Sequence, residues 1–496
     1  MIRELTEYVL PQFDVVSFDV FDTFLLRPFI VPADLFKVIG GDEFAVARRN
    51  AERAAGPDTG WLYTIDDIYA RMPPGMQKMK QVEIDAEKRR AVVNPVMRAV
   101  YDRARELRMK IVFVSDMYLT EDIMRDLLAS RGITEYDGVY TSCSRKHGKG
   151  DGSLLRIMAD DIGVEPGRVV HIGDSVGSDV VGGERAGMYT QYIPKIQDMF
   201  FNEEKHIAEF YRQRDGRNNE HIRIFVGALV LAWHLIRCKY GDDPWRRTGC
   251  TFSAPILYCY TKWVLEQQKA LGKKKLALLL RDCHAVGKIL DRISPDTEYS
   301  YVAATRSITL PILRQGLHSP AGMAGARYLK EAIPDPFNTL VVEGTSGTLS
   351  CERALFSAFE SHIPVVYLNR SFDHNTPQDC SYIKHDRYSW IYGMLESLLL
   401  APFNPFSGIG KDGKPELKPE SPYDAYRNYG VRRREEMVVE TAALLEANGE
   451  TLNPEECQAF ILCCWDHLGL QDIPMFMNFY SEADENHARH THVYWR

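Results

Sequence analysis

The sequence predicts an α/β protein of two domains: a doubly wound parallel sheet carrying a helical insert, followed by a second α/β domain with extra helices. Three observations carry this expectation. Short apolar runs alternate with helical patterns over residues 15–192. The alternation is interrupted once, by a long stretch of helical character after the first strand. Beyond a polar, charged segment at 196–220 a second alternation begins. At 496 residues the chain also exceeds what one core fills, so two or three domains are expected.

The first domain is expected over residues 1–210. Its strands are "VVSFD" (15–19), "KIVFVSD" (110–116), "GVYTS" (138–142), "VVHIGDS" (169–175) and a short last one near "TQYI". Helical patterns such as "EDIMRDLLASRG" and "GSLLRIMADDIG" separate them. Residues 24–108 read as wholly helical and therefore as a cap, divided by the turn "RMPPGMQ". The second domain is expected over 211–496. It opens with helices at 221–240 and 253–270; the apolar run "IFVGALVLAW" (224–233) has half the length a bilayer span needs and predicts a buried helix. There follow a strand, turn and helix in "KKLALLLRDCHAVGKIL", a strand ending in arginine in "EYSYVAATRS", a strand, loop and helix in "NTLVVEGTSGTLSCERALFSAF", and a strand in "IPVVYLNR". Residues 424–496 read as mainly helical.

Composition narrows the function classes. With 45% hydrophobic and 26% charged residues the chain is globular, and a net charge of −8 argues against a nucleic-acid binder. Ten cysteines without CxxC spacing fit neither a zinc site nor a disulfide framework, and predict a reducing, cytoplasmic setting. The opening "MIRELTEYVLPQFD" lacks the pattern of a secretory signal.

Ligands of parallel sheets sit at the carboxyl ends of the strands, where Asp19, Asp22, Thr23, Ser115, Asp174 and Asp179 fall. "FDVFDT", "VSDMYL", Lys149 in "KGDGSLL" and "GDSVGSD" arrive in the order of the four motifs of the haloacid dehalogenase (HAD) superfamily. Over about residues 13–195 the chain resembles that superfamily, and its helical insert is similar to the superfamily's C1 cap. The resemblance implies an HAD-like fold and Mg²⁺-dependent phosphoryl transfer. Asp19 is then the nucleophile, forming an aspartyl-phosphate that water hydrolyses. Asp19, the backbone carbonyl of Phe21 and Asp174 would hold Mg²⁺, with Asp179 as a further ligand or behind them. Ser115 would donate to the phosphoryl oxygens. Lys149 would screen the charges, with Lys146 as the alternative. Phe21 departs from the pattern, because phosphatases of the superfamily usually carry an aspartate there as general acid/base. A dehalogenase, an inactive scaffold, and a phosphatase whose proton transfer has moved to Asp22 or to water are the three readings. The retained acids favour the last.

In the second half, "VVEGTSGTL" (341–349) combines small residues with a following helix N-terminus, an arrangement suited to an anion. Gly344 and Gly347 would let the backbone approach; Thr345, Ser346 and Thr348 add hydroxyls; Glu343 would accept hydrogen bonds from sugar hydroxyls. The segment resembles the 5-phosphoribosyl-1-pyrophosphate (PRPP) loop of phosphoribosyltransferases, with the usual pair of acids reduced to Glu343 followed by Gly344. Arg281 and Arg306 are the candidates for neutralising a leaving pyrophosphate. Asp282 would bind its metal or act as base, with His284 as an alternative base, whereas Tyr301 is expected to pack. His487, His490 and His492 form either a metal site or a solvated tail, the latter being favoured.

Together the halves resemble the dual-domain ribofuranosyltransferases of bacterial surface polysaccharide assembly. That resemblance implies a bifunctional enzyme: PRPP-dependent transfer of 5-phosphoribosyl to a lipid-linked glycan, then removal of the 5-phosphate. It implies Mg²⁺ and a cytoplasmic location, with at most peripheral contact with the inner membrane face. The alternatives are a stand-alone Mg²⁺-dependent sugar-phosphate phosphatase with a C-terminal binding module, a nucleotide-sugar glycosyltransferase in the second half, and a scaffold with both sites dead. Acceptor sugar, linkage, anomeric outcome and oligomeric state are left open.

Overall fold

The computed structural model describes residues 2–280, 282–346, 349–370, 380–383 and 389–467. The chain divides into two compact units, Met1–Glu203 with Asp215–Lys239, and Glu204–Arg214 with Tyr240–Arg496.

The first unit is built on five parallel strands: β1 (Val15–Asp19), β4 (Lys110–Ser115), β5 (Gly138–Thr141), β6 (Val169–Gly173) and β7 (Tyr189–Tyr192), in the order β5-β4-β1-β6-β7. The short pair β2 (Leu25–Leu26) and β3 (Val92–Val93) lies outside this sheet. Alternate residues feed the two faces. Val16, Phe18, Phe113 and Ile172 join one core; Val15, Val112, Val114 and Val169 join Leu154, Leu155 and Met158 in another. The chain runs from β1 outward through β4 to β5, then returns to the other side of β1 with β6. The order therefore reverses between β1 and β6, the place where doubly wound sheets bind ligands.

The cap is largely helical, with helices Asp34–Thr59, Ile65–Tyr69, Met79–Arg90 and Pro95–Glu106. The expectation of a wholly helical insert needs correcting, because β2 and β3 pair antiparallel and close its base. Their partners lie far apart in sequence, so no local period announces them. Inside the cap a fully buried Arg48 is satisfied by Glu83, which it grips with Nε and Nη2 at 2.8 Å each, while the Tyr69 hydroxyl donates to Glu83 at 2.7 Å. Removing one partner from such a buried pair is far more damaging than the pair is stabilising.

Helix Glu220–Tyr240 belongs to the first unit. Among the described residues it is the one helix long and apolar enough to cross a bilayer, and 72% of its most apolar window is buried inside the protein. It seats on the chain that follows the first motif. A Cβ on Gly227 would stand 2.7 Å from the Pro28 carbonyl oxygen and 2.9 Å from Phe29 Cα, so only glycine permits the approach. Arg223 holds the buried Asp34 at the start of the cap, 2.8 Å from Nε, and His234 Nε2 lies 2.9 Å from Asn94 Oδ1.

The second unit has its own parallel sheet: β8 (Lys275–Leu280), β9 (Tyr299–Ala303), β10 (Thr339–Ser346), β11 (Val365–Arg370) and β12 (Ser381–Ile383), in the order β12-β11-β10-β8-β9. The fold class expected from the sequence is the one observed. Here the order reverses between β8 and β10. Among the elements that the sequence did not announce are β12 and the hairpin β13 (Phe406–Ile409) with β14 (Pro415–Leu417). Helices Ile196–Glu203 and Lys205–Gln213 occupy the segment read as a polar boundary, each burying an apolar face that includes Phe200 or Ile207 and Phe210. C-terminal helicity is found at Pro422–Asn448 and Pro454–His467. All ten cysteines are free.

Gly227→Val is expected to destabilise the protein by about 1–3 kcal/mol through overpacking, read as a lower urea midpoint with an unchanged slope. Burial pushes the His234 ring from 6.5 down to about 4. Below pH 6.5 the unfolded chain then binds a proton that the folded state binds only near pH 4, so stability falls as pH drops through this window, by roughly 3 kcal/mol for this group. His234→Gln should flatten that slope when unfolding is followed by the fluorescence of the adjacent, buried Trp233.

Candidate functional site

Asp19 closes β1, and its neighbour across the switch, β6, leads directly into Asp174. Carboxylate oxygens of Asp19, Asp174 and Asp179 lie within 4.8 Å of one another, and all three residues are buried. Lys149 Nζ, itself buried, reaches Asp19 Oδ1 and Asp179 Oδ1 at 2.5 Å each. Its backbone N–H donates to Asp116 Oδ1 at 3.0 Å, which fixes the loop carrying it. Lys146 instead points its ammonium at the Leu62 carbonyl, 2.8 Å away. Ser115 ends β4 beside β1 and is buried.

Burial, opposed by Lys149 and reinforced by the charges of Asp179 and Asp174, pushes the Asp19 carboxyl up to about 8. For Asp179 burial works in the same direction but is outweighed by the hydrogen bond from His171 and the charge of Lys149, which hold it below the usual range. Burial would lower the Lys149 ammonium, yet Asp19 and Asp179 hold it above its ordinary value. Three crowded carboxylates face the ammonium of Lys149 and, at Asp174, that of Lys195, so acids outnumber ammonium groups at hard oxygen donors, the environment that Mg²⁺ neutralises. The residues therefore fit that ion. Asp19 and Asp174 are the candidates to hold it. Asp179 is committed to the protein, since Oδ1 accepts from Lys149 and from His171 Nε2–H at 3.1 Å, and Oδ2 accepts from the Ser175 N–H at 2.8 Å. This places it behind the metal position.

Several contributors went unread in the sequence. Ser17 Oγ lies 2.8 Å from His171 Nδ1. Because a carboxylate only accepts, the Asp179 contact fixes the proton on Nε2, and Nδ1 accepts from the serine. Burial lowers the His171 ring and keeps it neutral. A serine and a histidine inside otherwise apolar strands were the available signal, since buried polar groups need partners. Thr23 Oγ1 donates to Asp174 Oδ1 at 3.0 Å, and Lys195 Nζ stands 3.1 Å from Asp174 Oδ2.

Phe21 turns its ring into the core shared by sheet and cap, with the Arg27 guanidinium 4.3 Å above its centroid. Asp22 adopts a left-handed backbone (φ 63°), donates its N–H to the Leu25 carbonyl, and lies 3.7 Å from Arg27.

At the switch of the second sheet, β10 pairs with β8 only as far as Val342, whereas it stays on β11 through Ser346. The strands splay there, and Asp282 enters the gap: its Oδ2 accepts from the Thr345 N–H at 3.3 Å. Gly344 is required by this approach, since a Cβ would meet Asp282 Cβ at 2.6 Å and Leu399 Cδ1 at 2.5 Å. Gly344, Thr345 and Ser346, expected in a loop, thus prolong the strand, because β11 continues to offer them a ladder. Glu343 is buried; burial, with the charges of Asp282 and Glu352, pushes its carboxyl up to about 8. His284 Nδ1 pairs with Glu435 Oε1 at 2.7 Å and its ring stacks on Tyr301. Arg306 is exposed at the start of the helix Arg306–Gln315. Arg281, Gly347, Thr348, His487, His490 and His492 lie outside the described residues.

A family model described as haloacid dehalogenase-like hydrolase matches residues 48–187. The N-terminal part of this chain is a HAD-like hydrolase domain. Solved structures similar to the chain include a HAD phosphatase from Thermococcus onnurineus, at 21% identity over 36% of this chain and 86% of that one with a TM-score of 0.29. Another is a HAD family enzyme from Bacteroides thetaiotaomicron in complex with magnesium and inorganic phosphate, at 14% identity over 37% and 95% with a TM-score of 0.28. A predicted phosphoglycolate phosphatase from Haemophilus somnus aligns at 14% identity over 38% and 91%, with a TM-score of 0.27. No curated protein matches the chain. The matched segment begins after Asp19.

His171→Phe removes the donor that orients Asp179. Mg²⁺ affinity, measured by calorimetry, is expected to fall roughly tenfold to a hundredfold, and an unchanged affinity would mean that Asp179 is held without the histidine.

Proposed function

We propose that the hydrolase domain is an Mg²⁺-dependent sugar-phosphate phosphatase, and that the second unit makes its substrate by transferring 5-phosphoribosyl from PRPP to a glycan. The observation that supports this is the presence, on one chain, of carboxylates at the reversal points of two parallel sheets: the buried Asp19, Asp174 and Asp179 in the first, and the buried Glu343 with the half-buried Asp282 in the second. In the transfer step the C1–O bond to pyrophosphate breaks, a bond forms to an acceptor hydroxyl oxygen, and Asp282 takes the hydroxyl proton. In the hydrolytic step an Asp19 oxygen attacks phosphorus and the sugar oxygen leaves. Water then attacks the aspartyl-phosphate, releasing phosphate and restoring the carboxylate. Ser115 and Lys149 are assigned to the phosphoryl oxygens. Mg²⁺, when held by Asp19, Asp174 and the Phe21 carbonyl, supplies charge neutralisation. With Phe21 turned into the core, the proton on the leaving oxygen is assigned to Asp22 or to water. The resemblance to the dual-domain ribofuranosyltransferases implies a cytoplasmic location for this reaction.

A second reading has its own support. Gly344 packs against Leu399 and Asp282, and the residues after it continue a ladder, which leaves fewer free N–H groups for an anion than a loop would. That arrangement fits a phosphatase whose second unit only binds. Incubation with PRPP, Mg²⁺ and a panel of glycosides, followed by mass spectrometry, separates the two. The first reading expects ribosyl products from the native chain and phosphoribosyl products from Asp19→Asn. Free phosphate from ribose 5-phosphate, with PRPP untouched, would leave only the second.

A further inference from the structure

Among the described residues, the carboxyl ends of β10 and β11 hold four buried polar atoms without a hydrogen-bond partner: Oδ1 of Asn369, Nε and Nη2 of Arg370, and Oε2 of Glu343. The Arg370 side chain is 4% exposed, so water does not make up the loss. Unpaired groups at such depth are costly, and a native structure keeps them where something else completes them. Nη1 of Arg370 is accounted for, donating to Cys380 Sγ at 3.0 Å. Nη2 lies 3.4 Å from Glu352 Oε2 without forming a hydrogen bond, and that oxygen already accepts from the Tyr367 hydroxyl at 2.8 Å. The guanidinium stands 5.3 Å from the Tyr367 ring centroid. Arg370 pairs in register with Ser346, and Tyr367 with Glu343, so both orphaned groups lie at the end of the sheet where Asp282 enters. The positive charge of Arg370 draws the Glu343 carboxyl down, against the larger effect of burial.

We propose that Arg370 and Glu343 are the two poles of one binding site for a phosphorylated sugar or polyol. The Nε–H and Nη2–H of Arg370 receive the anionic oxygens, and Glu343 Oε2 receives a hydroxyl. This deepens, and rests on, the reading of the second unit as a sugar-phosphate site. A guanidinium offers two N–H groups in a fixed fork that matches a phosphoryl group bidentately. An uncharged ligand would offer the Arg370 N–H groups no anionic oxygens, and a bare anion would leave Glu343 Oε2 unpaired. A ligand with both groups satisfies the Arg370 and Glu343 atoms.

The test uses the full chain carrying Asp19→Asn, Ser115→Ala and Lys149→Met, which removes the groups assigned to the phosphate in the first site. Binding of ribose 5-phosphate and of inorganic phosphate is measured by calorimetry. Arg370→Gln is expected to weaken both about thirtyfold or more, with a melting temperature unchanged or raised because buried donors without hydrogen-bond partners have gone. Arg370→Lys should recover part of the affinity. Glu343→Leu should weaken ribose 5-phosphate while sparing inorganic phosphate. Equal affinities in the parent and Arg370→Gln, or no binding by the parent, would overturn the proposal, as would a sharp fall in melting temperature with Arg370→Gln. Ribose 5-phosphate binding through Arg370 without transfer from PRPP would sink the transferase reading and leave this site standing. Transfer that is indifferent to Arg370→Gln would do the reverse.

Discussion

The ammonium of Lys149, held between Asp19 and Asp179, is the contact on which the first site depends. Two neighbouring parallel strands deliver three carboxylates to one point, and their mutual repulsion in a buried setting would drive them apart or protonate them. Lys149, with Lys195 at Asp174, offsets part of that charge, and the raised Asp19 carboxyl registers the remainder. The shortfall is what a divalent cation supplies, so metal affinity and Asp19 ionisation are two aspects of one charge balance. The Ser17–His171 pair beneath it holds Asp179 as a fixed anion facing Lys149.

Phe21 fits into this arrangement as an exchange of roles. Where an acid would project toward the substrate, an aromatic ring is buried against Arg27 and helps seat the cap. The same turn is braced from behind. Asn94 donates to the Thr23 carbonyl at 2.9 Å, His234 reaches Asn94, and Thr23 holds Asp174. A helix far along the chain is thereby linked through two side chains to a residue of the metal position. That contact accompanies the grouping of residues 215–239 with the first unit, although they follow its last strand.

The second sheet repeats the same logic with a different outcome. Its strand order also reverses, and Asp282 occupies the gap opened where β10 leaves β8. There the carboxylates are not balanced by a lysine, and the nearby cation, Arg370, is itself incompletely paired. The first site is thus largely satisfied by the protein, whereas the second has hydrogen-bonding capacity left over.

The strands of both sheets other than β12, the acids at their ends and the position of Lys149 could be read in the sequence, because apolar runs and their polar terminators are local signals with a fixed period. So could the helical character of most of the insert. Pairings between distant segments could not. The β2–β3 closure, the continuation of β10 along β11, the Ser17–His171 contact and the seat of Gly227 each join residues whose proximity no window of sequence contains. Burial has the same property. Glu343 looked like an open sugar-binding acid and Arg370 like the end of an apolar strand, yet their surroundings are assembled from elements that lie apart in the chain. The amino-acid order decided which residues could do chemistry; tertiary packing decided which of them are left unpaired, because desolvation and partner geometry depend on the neighbours that folding brings.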